Sequence, residues 1–104
     1  MDELIAKFLP RFEALATERL RKGLEIASQR QHARAGEIVH DLHALAGEAG
    51  LLGLETVTAL ARGAEESAKR YRDQRAEADA AGLVERLEKL AAAVKDATSL
   101  GGRT

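Results

Sequence analysis

The sequence predicts an all-α fold: an antiparallel up-down four-helix bundle preceded by a short extra helix. Three observations carry this. The apolar content is 45 % but rests on Ala and Leu, with two Phe, one Tyr and no Trp; these are the strongest helix formers, and strand-favouring residues are scarce. Apolar residues recur at alternating spacings of three and four over most of the chain, the signature of a stripe along a packed helix. The stretches between these segments are short and polar or glycine-bearing, which suits antiparallel neighbours.

Leu4, Ile5, Phe8 and Leu9 define the short first helix. Pro10 lacks an N–H and clashes with the preceding turn, so a break is expected there, with Pro10 opening the next helix. That helix carries Phe12, Leu15, Ala16, Leu20, Leu24 and Ala27 to about residue 29, weakened slightly by Gly23. Gln29-Arg30-Gln31-His32 reads as the first turn. The following helix has the seam Ala35, Ile38, Leu42, Leu45, Ala49 and Leu52, and stops at Gly50 to Gly53, where glycine suits a left-handed cap. A further helix begins near Leu54 or Glu55, with Val57, Leu60, Ala61, Ala64, Ala68 and Tyr71 as its seam. The charged stretch 70–78 contains the last turn. Leu83, Leu87, Leu90, Val94 and Ala97 mark the final helix. Residues 1–98 are thus expected to form the bundle and 99–104, with Gly101-Gly102, a flexible tail.

Charged residues make up 32 % and nearly cancel, for a net charge of -1. No basic field is present to hold nucleic acid or an anionic membrane. Without cysteine there is neither a disulfide nor a thiolate metal site. Apolar runs are far too short for a bilayer span, and Asp2 and Glu3 stand where a signal peptide would be basic. A cytoplasmic location is expected.

The informative stretch is His40-Asp41-Leu42-His43-Ala44-Leu45-Ala46-Gly47, continuing through Gly50 to Gly53. At 100° per residue, His43 falls about 135° from the centre of its helix's seam, on the solvent side. Gly36, Gly47 and Gly50 share that side and His40 lies beside them; Glu37, Asp41 and Glu48 occupy the opposite flank. Glycine costs about 1 kcal/mol against alanine within a helix, a loss that makes sense if another protein must approach this backbone closely. An imidazole nitrogen is a competent nucleophile near neutral pH.

His43-Ala44-Leu45-Ala46-Gly47, with Gly53 ten residues after the histidine, resembles the H-x-L-K-G-x5-G signature of histidine-containing phosphotransfer (HPt) domains. Leu54, Val57, Leu60, Ala61 and Ala64 match that family's spacing on the next helix. The resemblance implies a phosphorelay intermediate that accepts and donates a phosphoryl group on His43, exchanging it with receiver-domain aspartates. It further implies that Glu65 stands where the family has a Gln or Glu orienting the histidine. The family's lysine three residues after the histidine is Ala46 here; Arg62 and Lys69, three before and four after Glu65, are candidate substitutes. The expected docking surface comprises His40, Ala46, Gly47, Gly50, Arg62 and Lys69. The implied partners are a response-regulator receiver domain and a hybrid or sensor histidine kinase. The module itself is expected to be a monomer without a cofactor, Mg2+ being supplied by the receiver. No phosphate-cradling Gly-rich loop is present, so this is a phosphoryl carrier rather than a self-contained enzyme.

Four other readings stand beside this one. His43 could be an unremarked surface histidine. His40 and His43 at i and i+3 could bind a metal, but two imidazoles need further ligands and the nearest acids lie off that face. The chain could also be an adaptor that binds a receiver-like partner without transferring, or a bundle that dimerises.

Overall fold

The computed structural model describes residues 3–102, with side chains through residue 99. It contains α1 (Glu3–Ser28), a 3-10 turn (His32–Arg34), α2 (Ala35–Leu51), α3 (Glu55–Gln74) and α4 (Glu77–Gly102). No strand occurs among the described residues. Each helix packs on two others: α1 and α3 each touch both α2 and α4, and α2 and α3 form the most extensive pairing. The expected tail overlaps the end of α4, which takes in positions 99–102; Arg103 and Thr104 lie outside the described residues.

The separate N-terminal helix is the main correction. Residues 3–28 form one helix with Pro10 inside it. Pro10 is exposed, so its ring disturbs no packing, and its missing N–H removes only the bond to the Ala6 carbonyl. Such a proline costs about 3 kcal/mol. Leu9 and Phe12, on either side of it, are 5 % and 4 % exposed and continue the stripe of Ala16 and Leu20. Burying two such side chains contributes about 3–6 kcal/mol, enough to carry the rod through the proline. Including Leu9 also rotates the α1 seam. Leu15, expected in the core, is 45 % exposed, whereas Gly23 is buried. A Cβ there would meet Ile38 and Leu87 at 3.6 Å, so Gly23 lies at the meeting of three helices.

The remaining seams lie where the spacing puts them. Ala35, Ile38, Leu42, Leu45 and Ala49 of α2, Val57, Ala61, Ala64, Ala68 and Tyr71 of α3, and Leu83, Leu87, Leu90 and Val94 of α4 are buried. Leu52, Leu60 and Ala97 are only partly so. The acids on the flank of α2 face α1: Glu48 pairs with Arg19 at 2.6 Å, and Lys22 reaches both Glu37 at 3.1 Å and Asp41 at 3.3 Å.

Two helix ends show the same closure. At the end of α2, the Leu54 N–H donates to the Ala49 carbonyl and the Gly53 N–H to the Gly50 carbonyl, with Gly53 at φ +74°. This is a Schellman motif, and glycine supplies its left-handed residue. At the end of α1, Gln31 donates to Ile26 and Arg30 to Ala27, but the left-handed residue is Arg30 at φ 55°. Its guanidinium donates to the Ala27 carbonyl at 2.9 Å and pairs with Glu77 at 2.6 Å. The turn between α1 and α2 is thereby tied to the start of α4. The last turn is only Arg75 and Ala76, with Arg75 at φ 56°.

Candidate functional site

His43 sits in the middle of α2, on the side away from the seam, with its side chain 80 % exposed. Its Nδ1 lies 3.2 Å from Oε2 of Glu65 on α3. Glu65 is the contrast: its side chain is only 11 % exposed, set beside the fully buried Ala61, Ala64 and Ala68. Small residues there let α2 and α3 approach closely, so a carboxylate from one helix reaches the ring on the other. A carboxylate oxygen accepts, so in the neutral ring Nδ1 carries the proton and Nε2 keeps its lone pair. Nε2 has no partner among the described residues and faces solvent.

Lys69, one turn beyond Glu65, places Nζ 3.5 Å from the same Oε2 and 3.2 Å from Oε1 of Glu66. Glu66 foremost, then Glu65, holds the Lys69 ammonium above the ordinary lysine value. Arg62 is exposed and forms no ion pair among the described residues. Of the two cations expected to replace the missing lysine, Lys69 meets the Glu65 carboxylate, whereas Arg62 pairs with no acid among the described residues.

Gly36, Gly47 and Gly50 are all exposed. No atom lies within 4 Å of the place a Cβ would occupy at Gly36 or Gly47, and at Gly50 only the Thr58 hydroxyl, at 4.0 Å. The fold therefore does not require glycine at these three positions. His40 is exposed one turn before His43. Its neighbours Glu37 and Asp41 are engaged elsewhere: Arg34 at 2.8 Å and Lys22 hold Glu37, while Lys22 takes Asp41. Among the described residues no group of three or more His, Asp or Glu side chains is placed to hold a metal ion.

Ala46 requires correction as a docking residue. It is 4 % exposed and belongs to the core, because it adjoins the fully buried Leu45 at the edge of the α2 seam. Sequence reading also passed over an exposed apolar end. Leu51, 86 % exposed and eight residues past His43, lines an open groove with Phe8 and Leu15 of α1. The available signal was its position off the three-and-four spacing of the α2 seam, which passes through Leu52 instead.

The helical bundle thus presents one bare imidazole nitrogen and holds the other against a carboxylate from the next helix. In the comparison with protein families, the family model described as Hpt domain matches residues 3–97. The chain belongs to the Hpt domain family, whose members serve phosphotransfer in two-component signalling. Neither the curated proteins nor the solved structures contain a match to it.

Proposed function

We propose that this chain is an active phosphorelay intermediate that carries the phosphoryl group on Nε2 of His43. The observation that supports this most is the Nδ1–Glu65 contact beside an unobstructed Nε2. In the step so defined, the Nε2 lone pair attacks the phosphorus of a receiver's aspartyl phosphate. The P–O bond to the aspartate breaks, that carboxylate leaves with the electron pair, and a P–N bond forms. The ring acquires positive charge, which the Glu65 carboxylate offsets through Nδ1–H. Handing the group to another receiver is the reverse. Mg2+ belongs to the receiver, and this chain contributes a positioned nucleophile.

The receiver docks on the exposed ridge of α2 and the adjoining flank of α3, over Gly47, Gly50 and His40, with Arg62 at the margin. We read the bundle beneath as antiparallel and up-down. The supporting observation is that partners descend on one helix as they rise on the next: Arg19 meets Glu48 while Lys22 meets Glu37, and Glu13 meets Thr98 while Gly23 approaches Leu87. The module works as a monomer in the cytoplasm, receiving its group from a hybrid or sensor histidine kinase through the receiver.

The buried Ala46 favours a second reading, because no ammonium stands one turn after His43 on α2. On that reading the chain is an adaptor that binds a receiver without taking its phosphoryl group. Incubation with a phosphorylated receiver domain separates the two. Transfer yields acid-labile, base-stable phosphate on this chain that is absent from His43→Gln. Binding without such phosphate establishes the adaptor.

A further inference from the structure

One carboxylate oxygen of Glu65 is shared between two helices' worth of donors. Oε2 lies 3.2 Å from His43 Nδ1 and 3.5 Å from Lys69 Nζ. We propose that Lys69 is a positioning residue for the phosphoryl acceptor: its ammonium pins the Glu65 carboxylate beneath the ring, which keeps the His43 proton on Nδ1 and the lone pair on Nε2. The mechanistic consequence rests on the phosphotransfer reading; the proton placement itself does not.

Free histidine prefers its neutral proton on Nε2, the wrong nitrogen for a nucleophile that faces outward. Glu65 reverses that preference only while Oε2 stays under Nδ1. A glutamate has three rotatable bonds, and on an unbranched stem the carboxylate swings unless something holds it. Lys69 sits one helical turn away at i+4, the spacing at which a glutamate and a following lysine meet on a helix surface. Its side chain is 39 % exposed, against 11 % for Glu65, so the ammonium approaches from the solvent edge and closes the carboxylate in. Glu66 competes for the same ammonium, with Oε1 at 3.2 Å. The two glutamates thus divide one cation, and its share at Glu65 sets how firmly the ring is oriented. Arg62, on the same helix, makes no ion pair that would substitute.

The test needs no phosphoryl donor. The full chain, labelled with nitrogen-15, is studied by long-range proton–nitrogen correlation at a pH where the imidazoles are neutral, with His43 assigned by its absence from His43→Gln. The nitrogen shifts give the ratio of the two tautomers. The wild type has the Nδ1–H form in the majority. Lys69→Met, which keeps the apolar stem, lowers that ratio at least twofold, and Lys69→Arg restores it. Glu66→Gln frees the ammonium for Glu65 and raises the ratio, a gain that a damaged fold does not produce. An unchanged ratio in both Lys69→Met and Glu66→Gln, or a majority of Nε2–H in the wild type, overturns the proposal. If the tautomer ratios respond as stated but no phosphate reaches His43, the phosphotransfer reading fails and this one stands.

Discussion

Replacing Gly47 with alanine sets stability against function and tests the ridge directly. Gly47 lies inside α2, four residues before its end, exposed and with open space where a Cβ would go. The methyl therefore meets nothing, buries nothing and acts only through helix propensity, where alanine is about 1 kcal/mol better than glycine. For a domain of this size that raises the thermal midpoint by about 4–8 °C. The gain at Gly36 and Gly50 is smaller, since both stand within two residues of a helix end. A receiver packed over the ridge meets the same methyl as an obstacle costing about 1–3 kcal/mol, which slows transfer by roughly 5- to 150-fold. Thermal unfolding and the rate of transfer from a phosphorylated receiver, measured on the same protein, give both numbers. A variant more stable and equally fast in transfer would show that no partner sits on Gly47. A variant less stable would show that the space above it is not open.

Other outcomes follow from the same geometry. Pro10→Ala restores an N–H to the Ala6 carbonyl at an exposed position and raises stability by about 2 kcal/mol, after allowance for the looser unfolded chain; urea unfolding measures it. Gly53→Ala forces a Cβ into φ +74° and lowers stability by about 1 kcal/mol, although no atom obstructs it. Glu37 is held down to about 2, from an ordinary 4.5, by the hydrogen bond from Arg34 foremost and then that from Lys22. A depressed carboxyl contributes stability above its unfolded value and loses it as pH falls toward the folded one. The thermal midpoint of the wild type therefore falls between about pH 4.5 and 2 by more than that of Glu37→Gln, and equal slopes in the two proteins would remove Glu37 from the account.

Legibility followed the strength of the period. The α2 seam is one stripe with no interruption, so both its buried face and the exposure of His43 opposite could be read from angles alone. The join in α1 could not, because Pro10 is a strong local signal whose cost is outweighed by burial of Leu9 and Phe12, and burial depends on a partner surface that a single segment does not reveal. Arg30 and Arg75 end helices in a conformation that normally announces itself by glycine; for Arg30, the tether to Glu77, 47 residues on, takes glycine's place. Glu65 was legible only through the family motif, since nothing in its own helix says that a half-apolar flank will face His43. The choice between Arg62 and Lys69 turned on where each flexible side chain comes to rest, which spacing leaves open. Ala46 was placed on the docking surface by analogy with the family's lysine, although it adjoins Leu45 of the seam.

The carboxylate holds His43 from one side only, and among the described residues no side chain partners the other. Cargo borne on Nε2 would stand in bulk water once the donor receiver had left. Its survival would then be a race between spontaneous hydrolysis and the next encounter, decided by how much receiver is at hand. On the proposed function, the state of such a carrier would follow the supply of receivers around it.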